Sequence, residues 1–239
     1  MIIPLLISTA IALGFLLGVF QADYHKAFQN LILFWREISL DAEAVSVGLY
    51  ALYETVLISV FATATAVLIS VPLAAVAAGF WHKALAVAVR TAATFMRAVP
   101  ALLWAVLTVV MFGPGVVAGA VALVVYSVGY LTKLFYETFE NVDRGFVDAM
   151  RAIGARGLKL AHLVYLQQRR QFITNIIFIL EYNIRTATII GFVGAGGVGY
   201  YIAQYINLLQ YGAAATIVLT TFLFVLILEG TSYFLRRRF

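Results

Sequence analysis

Residues 143–158 read Asp-Arg-Gly-Phe-Val-Asp-Ala-Met-Arg-Ala-Ile-Gly-Ala-Arg-Gly-Leu. This short charged segment lies between long apolar runs, and that contrast decides the fold class. In the whole chain 64% of the residues are hydrophobic and 11% are charged, whereas soluble domains carry about 25% charged residues. We therefore predict an all-α integral membrane protein that leaves one compact, charged elbow on one side of the bilayer.

Six apolar runs are each long enough to cross a bilayer, which takes about 20 residues of helix. They cover residues 2–20, 46–79, 86–112, 115–139, 171–191 and 212–235. We predict a single transmembrane domain over residues 1–239 with about six helices, the first of them retained and not a cleaved signal peptide. The second run exceeds the bilayer thickness, which predicts tilt or a start in the interface. Gly113-Pro114-Gly115 predicts a tight hairpin between the third and fourth runs.

The basic residues separate the two sides of the predicted membrane. They collect in residues 80–90, in 140–170 and in the C-terminal tail. Residues 21–45 are acidic on balance, and residues 191–211 carry no charge. We predict an inner-membrane protein with both termini and the elbow in the cytoplasm. This alternation requires an even number of spans, as the count of six provides.

Composition excludes several kinds of site. The chain has no cysteine and three dispersed histidines, so no metal site is predicted. The net charge of +5 follows membrane topology, and no nucleic-acid partner is expected. The stretch Gly194–Gly199 has the spacing of a dinucleotide fingerprint, but it closes an apolar span and does not follow a strand. We expect no cofactor bound by this chain, and ATP would have to bind another polypeptide.

The elbow has the pattern of a short amphipathic helix. Phe146, Met150 and Ile153 recur at helical spacing and predict an apolar stripe able to press into a groove. Asp143 is the predicted N-cap, and Gly154 or Gly157 is the predicted stop. Asp148 would lie near the positive end of the helix. The alternative is an interfacial helix that lies on anionic lipid.

Ionisable groups inside spans are costly and usually face a cavity or each other. The candidates are Glu54, Arg97, Lys133, Glu137, Glu181 and Arg185. Lys133 and Glu137, like Glu181 and Arg185, are four residues apart, so local pairing is the structural alternative. Arg97 has no such partner and precedes Pro100, so it needs a carboxylate on another helix, a ligand or the interface. We predict that it faces an anionic substrate, with snorkelling to the cytoplasmic surface as the main alternative. We place Arg97, Lys133, Glu181 and Arg185 along a translocation path.

Glycines cluster after the fifth predicted span. We predict a re-entrant turn at an outer gate, with a flexible loop as the alternative; it is built on Gly191, Gly194, Gly196, Gly197 and Gly199. In the fourth span, Gly115 and Gly119, continued by Ser127 and Gly129, predict close helix packing. A dimer interface and an intrachain contact are both compatible with that spacing.

Several motifs carry a family resemblance. They are Arg97-Ala-Val-Pro-Ala-Leu-Leu-Trp104, Gly113-Pro-Gly, Ser127-Val-Gly-Tyr-Leu-Thr-Lys-Leu-Phe-Tyr-Glu137 with Glu140-Asn-Val-Asp143, and Asn183-Ile-Arg185-Thr-Ala-Thr-Ile-Ile-Gly191-Phe-Val-Gly-Ala-Gly-Gly-Val-Gly199. With these motifs, residues 45–239 resemble permease subunits of phosphonate and phosphite ABC importers. The elbow also resembles their coupling motif, through Asp148-Ala149-Met150 and Gly154.

The resemblance implies a type I ABC-importer permease fold and a homodimeric pore. Each coupling helix would dock on a cytoplasmic ATPase dimer, which binds ATP and Mg, through Phe146, Asp148, Ala149, Met150, Ile153 and Gly154. An extracytoplasmic binding protein would deliver a phosphonate, phosphite or phosphate-like oxyanion, and the chain itself would not be an enzyme. Asp148 replaces a common Glu, and Leu166-Gln167 replaces a common Leu-Pro, which puts the bend before the fifth span in doubt.

Two other functions remain open from the sequence. One is a stand-alone secondary transporter or channel, in which Glu54, Glu181 and Arg185 form a proton or ion relay. The other is a membrane anchor that recruits an ATPase without transporting.

Overall fold

The computed structural model describes residues 2–20, 23–38, 42–80 and 82–238, and this part of the chain is helical without a β-strand. The helices are α1 (Ile2–Phe20), α2 (Tyr24–Arg36), α3 (Ala42–Ala77), α4 (Lys83–Ala98), α5 (Ala101–Phe112), α6 (Val116–Glu140), α7 (Arg144–Ala152), α8 (Gly157–Ile190), α9 (Val198–Asn207) and α10 (Tyr211–Arg238). A 3-10 turn, Gly191–Val193, joins α8 to the segment before α9.

Four helical stretches are long and apolar enough to cross a membrane: α3, α6, α8 with its continuation to Asn207, and α10. The α4–α5 pair passes the same test as one span bent by 87°, so the described residues supply four or five spans. All six predicted apolar runs are helical. Within α1, the residues whose side chains the structure describes include a shorter apolar stretch, Leu6–Phe15. This stretch is below the length of a span, so the sixth span stays a prediction.

Proline causes the sharp bend between α4 and α5. Val99 takes an extended conformation (φ −78°, ψ 123°), as expected of a residue before proline. Pro100 lacks an N–H, so the carbonyl of Met96, four residues earlier, loses its helical donor. The indole Nε1 of Trp104 donates to that carbonyl at 2.9 Å instead. The bend is therefore satisfied from within α5.

Helix α6 lies at the centre of the bundle and packs against α3, α4, α5 and α8. Small residues allow these close contacts. A Cβ on Gly129 would lie 2.8 Å from the Cβ of Met96 and 3.0 Å from the backbone nitrogen of Arg97. A Cβ on Gly119 would overlap the carbonyl oxygen of Ala195. Gly119 and Gly129 of the predicted packing motif thus serve contacts within the chain.

An aromatic core holds α6 and α8 together at the end of the bundle that carries α7. The ring of Phe172 lies 4.8 Å from that of Phe135 and 5.0 Å from that of Phe139. All three side chains are buried. These rings belong to a larger buried apolar cluster, called the Phe172 core below, which also includes Val142 in the segment that leads into α7.

Two helices and one helix start differ from the prediction. The apolar runs of the sequence predict no helix over α2 or α9, because α2 is apolar on one face only and α9 is too short to span. The fifth predicted span begins at residue 171, whereas α8 begins at Gly157 and continues through Leu166-Gln167 without a break. The polar first half of α8 hides the helix from a search for apolar runs.

Candidate functional site

The elbow is a capped nine-residue helix, α7. The side chain of Asp143 accepts a hydrogen bond from the backbone N–H of Gly145 at 3.3 Å, so the predicted N-cap is confirmed. At the other end Gly154 has φ +87°, a left-handed conformation that favours glycine and stops the helix. Gly157 is not the stop, since it is the first residue of α8.

The structure divides the predicted apolar stripe of α7. Phe146 and Met150 are half-buried and pack on the Phe172 core together with Val147. Ile153 is 71% exposed, and Asp148 is exposed as well. Phe146 and Met150 thus hold α7 on its own bundle, and Ile153 is the residue of the predicted stripe that stays exposed.

The outward face of α7 consists mostly of small and charged residues, with Ile153 as an exposed apolar side chain. Asp148, Ala149, Ala152, Ile153 and Gly154 are exposed. Asp148 lies 4.0 Å from Arg151 one turn later, a surface ion pair that leaves the carboxylate accessible. The helix is thereby fixed on one side and free on the other, and a partner is able to reach the free side.

One cluster of charges joins α8 to α10. Arg185 Nη2 lies 2.6 Å from Glu181 Oε1 and 3.6 Å from Glu229 Oε2. The hydroxyl of Ser232 donates to Glu181 Oε2 at 2.6 Å, and Glu181 is only 7% exposed. The predicted local pairing of Glu181 with Arg185 is confirmed, and α10 completes it.

Lys133 is also neutralised within its own helix. Its Nζ lies 3.2 Å from Glu137 Oε1, at the i,i+4 spacing that the sequence predicts. Glu137 also lines a polar cavity of about 250 Å³ between α6 and α8, which Asn141, Gln171 and Asn175 share. The amide of Asn175 donates to the hydroxyl of Thr138 there at 3.1 Å.

Arg97 differs from these cations. Within the described part of the chain no ion pair includes it, and its buried Nε has no hydrogen-bond partner. Gly129, which touches its backbone, lies 13 residues into α6, about 20 Å from the start of that 25-residue helix. Arg97 therefore lies at mid-height of the bundle, beside the bend at Pro100.

The four predicted path residues do not share one cavity. Glu181 lines an apolar cavity of about 270 Å³ between α8 and α10, and Arg97, Lys133 and Arg185 are not among its lining residues. Arg97 belongs to α4, Lys133 to α6, and the Glu181–Arg185 pair faces α10. The charges thus form separate local arrangements, of which only that of Arg97 lacks a counter-ion among the described residues.

The glycine segment is a compact turn at the end of the bundle opposite α7. Gly194 has φ +89° and Gly197 has φ +71°. The backbone N–H of Gly115, in the α5–α6 hairpin, donates to the carbonyl of Gly194 at 2.7 Å. The N–H of Val198 donates to the hydroxyl of Thr55 at 2.9 Å. These contacts tie α3, α6 and α8 together, as expected of a re-entrant turn.

Gly191, Gly196 and Gly199 take part in the same turn through close backbone approach. A Cβ on Gly191 would lie 2.7 Å from the carbonyl oxygen of Gly196, and one on Gly199 would overlap the carbonyl oxygen of Thr188. Side chains larger than hydrogen therefore do not fit at Gly191 or Gly199. The packing disfavours the alternative of a merely flexible loop.

A buried polar chain crosses three helices and is absent from the sequence prediction. Ser127 Oγ donates to Asn183 Oδ1 at 3.0 Å, and Asn183 Nδ2 donates to Thr63 Oγ1 at 2.9 Å. All three side chains are buried. Asn183 inside an apolar run is a signal that could have pointed to such a bond, because an amide in a span needs partners.

The comparison with known families decides what kind of protein this is. Residues 70–239 match the family described as binding-protein-dependent transport system inner membrane component. The chain belongs to this family. It is therefore an inner-membrane transport component by descent, in agreement with its apolar helices.

Two curated relatives share most of this transport component. It is 35% identical over 215 residues to "Phosphate-import permease protein PhnE" of Mycolicibacterium smegmatis, covering 88% of the chain and 40% of the relative. It is 36% identical over 191 residues to "Phosphite transport system permease protein PtxC" of Stutzerimonas stutzeri, covering 79% of the chain and 70% of the relative. The chain thus spans less than half the length of the first relative.

A solved structure shows the same fold. The membrane chain in "Inward facing conformations of the MetNI methionine ABC transporter" superimposes with a TM-score of 0.72, covering 83% of this chain and 99% of that one. The sequence identity is 17%, so the likeness concerns the fold alone. The all-helical bundle is the type I ABC-importer permease fold.

Proposed function

We propose that the chain is one half of a homodimeric channel in an ATP-driven importer of a small phosphorus oxyanion: a phosphonate, phosphite or phosphate. The observation that carries the substrate class is the 36% identity, over 79% of the chain, to a protein named as a phosphite transport permease. The proposed importer also includes a cytoplasmic ABC ATPase dimer and an extracytoplasmic binding protein.

The free face of α7 is the proposed contact with the ATPase. Phe146 and Met150 anchor the helix on the Phe172 core, so a force on Asp148, Ala149 or Ile153 is passed into the bundle. ATP and Mg bind to the ATPase in this scheme. ATP binding pulls the two α7 helices of the dimer together and tilts the bundle so that the path opens outward.

The proposed orientation puts α7 and both termini in the cytoplasm and the glycine turn outside. The distribution of lysine and arginine supports this orientation. The turn then forms the outer gate, built on Gly191, Gly194, Gly196, Gly197 and Gly199, and it meets the substrate that the binding protein releases. Membrane lipid surrounds the apolar faces of the helices.

Arg97 is the proposed contact for the oxyanion inside the membrane. Moving an anion into a low-dielectric barrier without a compensating cation costs several kcal/mol or more. Arg97 lies at mid-height and has no carboxylate partner among the described residues, whereas Lys133 and Arg185 are each paired. We assign the substrate contact to Arg97, and we assign the Glu181–Arg185 pair to joining α8 with α10.

A secondary transporter is less compatible with the same contacts. Its relay needs Glu54, Glu181 and Arg185 to exchange protons or ions. The structure pairs Glu181 and Arg185 with Ser232 and Glu229 of α10 instead. The family also consists of components that work with a binding protein.

Cellular uptake tests the proposal. Cells that lack the gene receive the wild-type chain together with its cognate ATPase, in an active form or in a form that cannot hydrolyse ATP. We expect accumulation of labelled phosphate, phosphite or methylphosphonate only with the active ATPase. Equal accumulation with the inactive ATPase would support a secondary transporter and contradict the importer.

A further inference from the structure

Arg90 joins the ends of three helices through one guanidinium group. Its Nε donates to the carbonyl oxygen of Ala77, the last residue of α3, at 2.8 Å. Its Nη2 forms an ion pair with Glu140, the last residue of α6. The guanidinium carbon also lies 4.8 Å from the centre of the Tyr136 ring. Arg90 itself belongs to α4, so α3, α4 and α6 are all held at this point.

The contacts of Arg90 with Ala77, Glu140 and Tyr136, called the clamp below, amount to more than a surface ion pair. The side chains of Arg90 and Glu140 are 38% and 42% exposed, and an isolated pair of that kind contributes little to stability. The planar guanidinium, however, donates to a carbonyl and a carboxylate at once and stacks on an aromatic ring. Such a fixed geometry restrains the relative positions of the three helix ends.

The clamp lies directly before α7 in the chain. Only residues 141–143 separate Glu140 from the first residue of α7. Val142 in this link is 7% exposed, and Phe139 packs edge-on against Phe80 at 5.5 Å between ring centres. Val142 thus anchors the link and Phe139 anchors the helix end before it, so a displacement of α7 would move the end of α6 with it.

The clamp also lies on the helix that carries Arg97. Arg97 follows Arg90 by seven residues, which is about two helical turns and roughly 10 Å along the same face of α4. An α-helix of this length moves as a stiff rod. A displacement received at Arg90 therefore reaches Arg97 beside the Pro100 bend.

We propose that Arg90 is a positioning residue that passes the movement of α7 to α4, and so links ATP hydrolysis to the oxyanion contact at Arg97. This inference rests on the proposed function. Without the clamp, α7 and the ATPase still move, but α4 no longer follows. ATP is then hydrolysed with less oxyanion transported.

The first test measures oxyanion moved per ATP hydrolysed. The reconstituted complex, with its ATPase and binding protein, is assayed with phosphate, phosphite and methylphosphonate. We expect Arg90→Ala and Glu140→Ala to lower the ratio by about fivefold or more, a common size for coupling between sites. Arg90→Lys, which keeps the charge but loses the planar fork, should lie between. Arg169→Ala is the control, since Arg169 is exposed and forms no ion pair among the described residues.

Charge reversal separates coupling from folding. Arg90→Glu combined with Glu140→Arg restores the ion pair without the native residues. The ratio of this double variant should exceed that of either single reversal. A wild-type ratio in Arg90→Ala, or no rescue in the double variant, would overturn the role of the clamp.

The second test needs no transported substrate. The chain has no cysteine, so single spin labels at exposed Ala88 on α4 or Arg144 on α7 report distances between the two copies. With ATP, both distances should change in the wild type, and only the α7 distance should change in Arg90→Ala. Equal changes at both sites in Arg90→Ala would overturn the clamp. Absence of any change in the wild type would contradict the proposed function itself and remove the basis of the clamp.

Discussion

At the residue scale, Arg97 differs from the other cations inside the predicted spans in its lack of an ion-pair partner among the described residues. Lys133 and Arg185 each have a carboxylate within 3.2 Å, and Arg90 pairs with Glu140. Arg97 has no carboxylate partner within the ranges that the structure describes, and its Nε is buried without a hydrogen-bond acceptor. An external anion is the ligand that would complete this site.

Arg97→Gln tests this assignment. The substitution removes the charge without breaking an ion pair, so assembly and basal ATP hydrolysis should stay close to wild type. Uptake should fall by about tenfold or more, because each 1.4 kcal/mol of lost anion stabilisation is a factor of about ten. Arg97→Lys should retain part of the rate. Wild-type uptake by Arg97→Gln would instead make Arg97 an interface anchor.

Arg185→Gln should behave differently and lower stability. It removes the cation beside the buried carboxylate of Glu181, to which Ser232 still donates, at a cost of about 1–3 kcal/mol. Thermal unfolding in detergent should begin at a lower temperature. The double variant Glu181→Gln with Arg185→Gln removes the stranded charge and should recover part of the loss. A double variant less stable than the single one would refute this explanation.

These residues show which side-chain contacts the sequence alone can predict. The Glu181–Arg185 and Lys133–Glu137 pairs follow from i,i+4 spacing, because helix geometry brings such residues together wherever the helix lies. The hydrogen bond from Ser232 to Glu181 does not follow, since 51 residues separate the two. For the same reason the Arg90–Glu140 pair becomes visible only when α4 and α6 are packed together.

At the element scale, the glycine turn works by excluding side chains. Gly197 has φ +71°, and a Cβ there would lie 2.6 Å from the hydroxyl oxygen of Thr55. Gly79, at the end of the bundle that carries α7, has φ +78°, and a Cβ there would meet no atom within 4 Å. The two glycines thus share backbone strain but differ in packing.

Gly197→Ala and Gly79→Ala form a matched pair. Both substitutions place a side chain at positive φ, which should cost about 1–3 kcal/mol, with Gly197 (ψ −167°) at the upper end because that region is nearly restricted to glycine. Gly197→Ala should cost about 1–3 kcal/mol more, because the new methyl group overlaps Thr55 and displaces the α3 contact. Thermal unfolding in detergent measures both. Equal losses would mean that the turn is loosely packed, contrary to the contacts observed.

Helix α7 gives the second test at this scale. Met150 is unsuitable for probing a partner because it packs on the Phe172 core, so its substitution would disturb folding. Ile153 is 71% exposed, and Ile153→Glu should leave the fold intact while weakening co-purification of the ATPase. Ala84→Glu, at an exposed position of α4, is the control. Unchanged co-purification with Ile153→Glu would exclude Ile153 from the contact.

The sequence predicts a helix correctly where the length of its apolar run is enough to identify it. Runs of about 20 apolar residues identify α3, α6 and α10, because a bilayer imposes that length. Amphipathic α2 and short α9 meet no such requirement, and the sequence does not reveal them. The inward orientation of Phe146 and Met150 depends on packing against residues of other helices, so the spacing within α7 could not decide which face is buried.

At the scale of the whole molecule, the proposed transport mechanism joins two ends of one bundle. At one end α7 is packed on the Phe172 core, and at the other the glycine turn binds α3, α6 and α8 together. Between them lies Arg97, next to the bend that Pro100 imposes on α4 and α5. The central claim is that this bundle imports a phosphorus oxyanion under the control of an external ATPase.

Uptake into proteoliposomes tests that claim most directly. The chain is reconstituted alone or with its cognate ATPase, with ATP inside the vesicles and the binding protein and labelled phosphate, phosphite or methylphosphonate outside. We expect uptake of at least one of these oxyanions, only with the ATPase present and only with ATP. Uptake by the chain alone, or ATP hydrolysis by the full complex without uptake of any of the three, would contradict the claim.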